Sequence, residues 1–469
     1  MAKKPRSLKR SAIPRGLSVS LAGIRAGGAL AMDSAMQKLR GRGGAGEESE
    51  FARREARRFV AELGKLKGTY VKIGQMMALM GEHFLPPALA EAMHDLGDQT
   101  QPLPWESVAP VLRASLGERF AELEIEREAL AAASLAQVHV ARIRASGEKI
   151  CLKVQYPGLA EVIDSDFDAV VRMLVLARWV QAGRDLDDWL ESMRHHLHNE
   201  IDYRREAALT LRMAELAAGV RDGAVNYSVP RLLPRYSADR VLALEYMEGL
   251  SVTDSRVAGL SLQRRNAMAM GMLELFFYEL YDWGCLQTDP NFGNYLLGLD
   301  DRRRSQGNDE LVLLDFGSIL DCSDSFLYHL RCTIDAGLRE DIEAVGEGLI
   351  GLGCLPRGAT PEARQLFSEF CLQLLEPLRP PERLPREYLN ADGEYCWAKS
   401  RLMHRAGKRG AMSATSRHFT PPNREFALIA RKLTGVFTFI AVLEAEFNAH
   451  EMVASHIARW REREANAKG

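Results

Sequence analysis

The apolar positions of this chain change period several times, and each change marks a new element. Phe59, Leu63, Leu66, Tyr70, Ile73 and Met77 recur at three- and four-residue spacing, which predicts a helix with one apolar stripe beginning near residue 50. Pro86 and Pro87 interrupt it, and helical spacing resumes over Leu89–Leu96 and Trp105–Leu116. Near Ala131 the period drops to two. Ala136–Ile143 alternates, Ser146 and Gly147 supply a turn, and Lys149–Gln155 alternates again. This is the pattern of a β-hairpin, with Lys153 on its second strand. Helices are predicted over Leu159–Ala177 and Trp189–Ala218, a short strand over Val241–Met247, and further helix over Ser261–Asp282. Two short strands, Tyr295–Leu299 and Leu311–Leu314, flank the polar loop Asp300–Glu310, which is expected to be a solvated hairpin tip. The remainder reads as mostly helical, broken by the proline-rich stretch Leu375–Pro385, and no internal repeat is visible.

Composition narrows the function classes. A chain of 469 residues with 46% hydrophobic content has room for a large core and for a two-lobed enzyme with extensions. The net charge of −2 gives no reason to expect a nucleic-acid partner. The charge is unevenly placed, however: residues 1–42 carry ten Lys or Arg and a single acid, Asp33. Such a tail can hold an anionic membrane at about 1 kcal/mol per basic residue near the surface, or be a solubilising end only. Gly41–Gly46 and the acids after it read as a linker, giving a basic tail over 1–50. No transmembrane helix is predicted. The apolar run Leu433–Leu443 is bounded by Arg431, Lys432 and Glu444, far short of the roughly 20 residues a bilayer needs, and Leu17–Met32 carries Arg25 and several glycines. Membrane contact is therefore expected to be peripheral. Seven cysteines without metal-ligand spacing suit a reducing compartment, with core packing as their role.

The chemistry concentrates in Gln287-Thr-Asp-Pro-Asn-Phe-Gly-Asn294 and, downstream, Asp315-Phe-Gly317. Asp-Pro and Gly-Asn are ordinary turn pairs. An acid with an amide five residues on, followed by a second acid opening Asp-Phe-Gly, is also how a kinase-like fold holds a metal-bound nucleotide. On that logic Asp289 is the catalytic-loop aspartate, able to accept a proton from an acceptor hydroxyl, and Asn294 and Asp315 hold metal. Lys153, in the apolar strand Ile150–Gln155, reaches the phosphates of ATP, and Glu206 in Asn199–Ala207 is the helix glutamate that would steady it. Glu245 and Met247, where the strand Val241–Met247 connects to the helical part, complete the nucleotide contacts. The phosphate cradle is Ala131-Ala132-Ala133-Ser134, with Gln137 just beyond, in place of a glycine-rich loop. Alanine does not follow glycine into positive φ at low cost, so this loop is expected to be stiffer or differently shaped, with backbone amides and the Ser134 hydroxyl still able to donate to phosphate.

Residues from about 55 to 450 resemble the UbiB/ADCK family of atypical kinase-like proteins. The resemblance rests on Lys72-Ile-Gly-Gln75, Ala131–Ser134 with Gln137-Val-His139, Lys153, Glu200-Ile-Asp202 with Glu206, Gln287–Asn294, and Asp315–Gly317, all in family order. The wording Gln-Thr-Asp-Pro-Asn is closer to the mitochondrial-type subgroup and its bacterial relatives than to the branch with histidine at the Asn291 position. The resemblance implies an α+β, atypical protein-kinase-like two-lobed fold with an N-terminal helical extension and a largely helical C-lobe. The division would be a tail over 1–50, the extension over 51–125, an N-lobe over 126–247 and a C-lobe with its C-terminal extension over 248–469. It assigns Lys72 and Gln75 to a helix that covers the active site and meets Glu200 and Asp202, and it implies ATP or ADP with Mg2+ as cofactors. The implied function is an Mg-dependent ATPase supporting ubiquinone (coenzyme Q) biosynthesis, acting on or presenting apolar quinone precursors at the membrane. Transfer of the γ-phosphate to a lipid or small molecule, and a nucleotide-gated lipid-binding scaffold, are the alternatives. Implied partners are anionic lipids and quinone-biosynthesis intermediates or enzymes, with a homo-oligomer left open. The implied location is cytoplasmic, peripheral to the inner membrane if the source is bacterial. No Ala-Pro-Glu element follows Asp315, which argues against a peptide platform.

Overall fold

A computed structural model describes residues 53–54, 56–58, 60–61, 69–80, 89, 92–93, 101–176, 184–221, 223–299, 309–407 and 424–468. The basic segment 1–42, the stretch Leu17–Met32, the positions Phe59, Leu63 and Leu66, the Pro86-Pro87 break and most of the loop Asp300–Glu310 lie outside the described residues. The chain forms two units: residues up to Ala208 with Arg231–Tyr246, and Leu209–Pro230 with Met247 onward.

In the first unit, alternation along Lys149–Gln155 puts Ile150, Leu152 and Val154 on one face of a strand, all fully buried. Lys153 is thereby left on the other face. This strand, β4, lies within a sheet ordered β1 (Leu123–Ile125), β3 (Ala136–Ile143), β4 and β6 (Val241–Glu245), with the short β2 (Ala131–Ala132) also pairing with β3. All these pairings are antiparallel, and the register sets Val138 and Leu242 on either side of Lys153. Helix α2 (Trp105–Leu116) covers the apolar face through Val108, Leu112 and Leu116. Tyr203, at the start of a later helix, packs with Leu242 and Leu244.

The described residues also include α1 (Thr69–Met80), α3 (Leu159–Leu176) and α4 (Arg184–Glu200), which form a second apolar cluster in this unit. Tyr70, Ile73 and Met77 of the stripe read from the sequence meet Ile163, Phe167, Met193 and Leu197 there. The single helical run expected over Trp189–Ala218 is two helices. The chain breaks at Ile201-Asp202 before α5 (Tyr203–Ala218), because the Asp202 carboxylate accepts from the amides of Arg204 and Arg205 at 3.1 and 3.0 Å and so caps a new helix.

Beneath the alanine loop lies a buried polar trio. Gln137 Oε1 accepts from the Leu103 amide at 2.8 Å, and its amide nitrogen donates to the Leu103 carbonyl at 3.3 Å. The same amide lies 2.8 Å from His139 Nε2, while His139 Nδ1 lies 2.9 Å from the Glu126 carbonyl. A carbonyl can only accept, so Nδ1 carries the proton and Nε2 accepts from Gln137, a neutral imidazole. Burial pushes the histidine below its ordinary value of 6.5, partly countered by the Glu126 bond. The consequence for stability has a definite sign. Above pH 6.5 both folded and unfolded states are neutral here. As pH falls below that value the unfolded chain takes the proton first, so stability declines until the depressed folded value is passed. Urea midpoints measured across this window should fall more steeply for the native protein than for His139→Gln; equal slopes would remove His139 as the source.

The second unit is built around α6 (Leu262–Tyr278), whose Met268, Leu273, Phe276 and Phe277 are buried on several sides. The helix predicted to Asp282 changes into a π-turn at Glu279–Trp283 and ends on Gly284 at φ 67°, a left-handed position that glycine occupies without strain. Three strands, β5 (Asn226–Ser228), β9 (Glu310–Leu313) and β8 (Tyr295–Gly298), form one sheet, with β5 parallel and β8 antiparallel to β9. Strands β7 (Cys285–Gln287) and β10 (Ile319–Asp321) form a second, antiparallel pair. Helices α7 (Asp324–Leu338), α8 (Ile342–Gly351), α9 (Pro361–Leu374), α10 (Arg424–Val442) and α11 (His450–Lys468) are the other long helices of the unit among the described residues. The end of the polar loop is not solvated as expected: Asp309 is buried and pairs with Arg264, whose Nε lies 2.8 Å away. All seven cysteines are free, and Cys285, Cys354, Cys371 and Cys396 are buried.

Candidate active site

In the first unit, Lys153 projects from the polar-facing side of β4, and its Nζ donates to Glu206 Oε1 at 2.6 Å. Glu206 is buried in the first turn of α5, where the Asp202 cap fixes the helix start. The Tyr203 ring lies 5.6 Å below the same ammonium. Strand, cap and helix therefore bring together two residues 53 positions apart in the chain. Lys72 of α1 pairs with Glu200, the last residue of α4, at 2.5 Å. Asp202 is turned to its own helix as the cap, and the side chain of Gln75 lies outside the described residues. Glu245 ends β6 with its carboxylate accepting from the Arg231 amide at 3.3 Å; Met247, half-buried, follows as the first residue of the second unit's longer segment.

The alanine loop has a definite shape. Ala131 and Ala132 pair with Val138 and Gln137, and the Ala133 amide donates to the Ala136 carbonyl at 2.8 Å, closing the turn. The Tyr156 hydroxyl holds the Ala133 carbonyl at 2.9 Å. None of Ala131 to Ser134 has positive φ, so the turn needs no glycine. The Ala133 amide is engaged within the turn. Gln137 points inward to Leu103, bracing the strand behind the loop.

In the second unit, two strand pairs converge. Thr288 continues the β7–β10 pairing through its amide and hydroxyl, both donating to the Ser318 carbonyl at 2.9 Å, which sets Asp289 beside Gly317. The Leu314 amide donates to the Asn294 carbonyl at 2.9 Å, extending the β8–β9 pairing and bringing Asn294 beside Asp315. Asp289 and Asn294 thus meet at the end of one pair, and Asp315 directly follows the residue paired with Asn294. Asn294 Nδ2 lies 3.0 Å from Asp289 Oδ2 and 3.2 Å from the Asp289 carbonyl. Both partners are acceptors, which fixes the amide with its nitrogen toward Asp289 and its oxygen away from it. Asp315 Oδ1 accepts from the Gly317 amide at 2.8 Å, and Phe316 is buried. An amide oxygen and a carboxylate are hard donors that suit Mg2+, an ion that takes few protein ligands and fills its shell with water and phosphate oxygens. The described residues hold no group of three His, Cys, Asp or Glu suited to a metal, and a site of this composition requires none.

Sequence reasoning missed the support behind the loop. Gly435 of α10 faces Pro290 so closely that a β-carbon there would lie 2.0 Å from the proline Cβ. One turn earlier, Arg431 Nη2 reaches Asp289 Oδ1 at 3.0 Å. Its neighbour Lys432, 1% exposed, lies 3.3 Å from Glu279, 3.3 Å from Gln287 Oε1 and 3.0 Å from the Tyr295 hydroxyl. That hydroxyl donates to Gln287 Oε1 at 3.0 Å. Burial pushes the Glu279 carboxyl up, opposed by Lys432. Burial also draws the Lys432 ammonium down, but Glu279 and Tyr295 more than offset it, so it stays raised. A signal was present: Leu428, Lys432, Val436 and Phe439 share one helix face, which marks Lys432 as a cation inside an apolar stripe.

A lysine strand with its helix glutamate, an Asp…Asn loop and an Asp-Phe-Gly turn define a kinase-like protein. The ABC1 atypical kinase-like domain matches residues 95–349, and the chain belongs to this UbiB/ABC1/COQ8 atypical kinase-like family. It is 25% identical to the mitochondrial atypical kinase COQ8 of Saccharomyces cerevisiae, over 84% of this chain and 74% of that protein. To the mitochondrial atypical kinase coq-8 of Caenorhabditis elegans it is 29% identical, over 83% of this chain and 49% of that one. Its fold resembles that of Rv3197 from Mycobacterium tuberculosis, solved with erythromycin, at a TM-score of 0.58 and 23% identity, covering 86% of this chain and 95% of that one. The fold is mixed α+β, with an N-terminal helical extension and a largely helical C-lobe. Among the described residues no helix is long and apolar enough to cross a membrane.

Proposed function

We propose that the protein is an Mg2+-dependent, kinase-fold ATPase that supports ubiquinone biosynthesis by acting on or presenting apolar quinone precursors at a membrane surface. Family membership supports this reading, and the observation that carries it is the Asp289–Asn294 contact, with the Asn294 amide oxygen turned away from Asp289 and the Asn294 carbonyl paired to Leu314, the residue before Asp315. Lys153, steadied by Glu206, would hold the phosphates of ATP, with the residues Ala131–Ser134 and Glu245–Met247 shaping the nucleotide's surroundings. Asn294 and Asp315 would hold Mg2+, which neutralises phosphate charge when bound. Asp289 would orient the attacking oxygen. Both its carboxylate oxygens already accept, one from Arg431 and one from Asn294. That favours orientation of water over removal of a proton from an acceptor hydroxyl. The Lys72–Glu200 pair would hold α1 against α4, the role expected of a covering helix. Anionic lipids and quinone-biosynthesis enzymes are the proposed partners, and the basic residues 1–42 supply the charge for the former.

ATP carrying a γ-phosphate label, incubated with Mg2+, the purified protein, anionic vesicles and a quinone-precursor mimic, tests the reading. Label should appear in free phosphate. Label on a lipid or small acceptor would replace hydrolysis by phosphotransfer, and no turnover with intact nucleotide binding would favour a nucleotide-gated scaffold.

A further inference from the structure

We infer that Arg431 is a positioning residue for Asp289, supplied by a helix that lies beyond the matched kinase-like domain. The inference rests on the proposed reading of Asp289 as the residue that orients the nucleophile. The domain match ends at residue 349, yet α10, at Arg424–Val442, presents three supports within about one turn to the loop carrying Asp289. Gly435 admits Pro290 into van der Waals range, Lys432 holds Gln287 and Tyr295, and Arg431 holds the carboxylate itself.

The geometry distinguishes Arg431 from a surface ion pair. The guanidinium and the carboxylate are each about one-third exposed, at 31% and 34%. The carboxylate's other oxygen is held by Asn294, itself anchored to the Asp289 carbonyl. Two donors on opposite oxygens fix the plane of the carboxylate, where Asn294 alone would leave it free to turn about its bond to Cβ. The guanidinium is fixed in turn, because Arg431 and Gly435 lie one turn apart on the face of α10 that meets the loop. A group whose only task is to orient a nucleophile depends on such fixing, since a displacement near 1 Å can cost about 100-fold in rate.

The test compares Arg431→Met, Arg431→Lys, Asp289→Asn and the double variant Asp289→Asn/Arg431→Met. Mg-ATP hydrolysis is followed at steady state and in single turnover, with Mg-ADP affinity and melting temperature measured alongside. Arg431→Met should lower kcat by roughly tenfold to a hundredfold, with KM, Mg-ADP affinity and melting temperature near those of the native protein. Arg431→Lys should recover part of the loss, because a lysine keeps the charge with poorer reach. In the Asp289→Asn background the further loss from Arg431→Met should be less than about twofold, since a residue that acts through another has nothing left to position. The inference is overturned if kcat is unchanged in Arg431→Met, if its loss follows a fall in melting temperature or Mg-ADP affinity, or if the two losses multiply. Full activity in Asp289→Asn would instead remove the proposed role of Asp289, a separate result from an inert Arg431 beside an essential Asp289.

Discussion

Asp315→Asn is expected to abolish most Mg-dependent nucleotide binding and turnover while leaving the fold intact. The substitution keeps an oxygen at Oδ1, and that oxygen accepts the Gly317 amide at 2.8 Å, so the turn after β9 retains its hydrogen bond. What is lost is a full negative charge at the proposed metal position. Loss of a partner that only orients a metal ligand costs roughly 10- to 100-fold in affinity, and loss of a ligand's charge should cost at least as much. Titration of ADP at rising Mg2+ concentration, for native and variant protein, measures this directly. A native metal dependence in the variant would sink the assignment of Asp315.

The second large effect concerns stability. Lys432→Met leaves the Glu279 carboxyl, 1% exposed, facing an apolar side chain where its counter-charge stood. Breaking one side of a buried ion pair costs about 3–5 kcal/mol, and here Gln287 and Tyr295 lose a donor as well. Replacing both charges, as Glu279→Gln/Lys432→Met, should return a large share of that loss, because no uncompensated charge remains. Urea denaturation of the three proteins gives the comparison. A cost for the single variant below about 1 kcal/mol, the range of an exposed pair, would mean that the site opens to water.

The parts of the fold and site carried by short stretches were legible in the sequence. Alternation around Ile150, Leu152 and Val154 announces a strand buried on one face, and it therefore also predicts which way Lys153 points. The Asp289–Asn294 contact and the Asp315–Gly317 bond each close within six residues, so each follows from local chain geometry. Glu206 was within reach because the lysine strand demands a helix glutamate, and the pair is formed. The helix break at Ile201-Asp202 was hidden, because periodicity continues across it and only the capping carboxylate ends one helix and starts the next. Gln137 looked like part of a phosphate loop, but position 137 faces the interior, where the backbone of Leu103, 34 residues earlier, supplies its partners. Arg431 meets Asp289 across 142 residues, a separation over which no local pattern carries information. Its neighbour Lys432 left a trace only as a cation in an apolar stripe.

The contact between Gly435 and Pro290 also bears on how such a chain can change over generations. Any residue with a β-carbon at 435 would enter the space of the proline at 2.0 Å, so while that proline stands, mutation there is closed to every substitution that leaves the backbone where it is. Removing the proline first would open the space without filling it. A lineage can therefore pass from this arrangement to another only through an intermediate with either a hole or a collision next to Asp289, and both positions are expected to be inherited together.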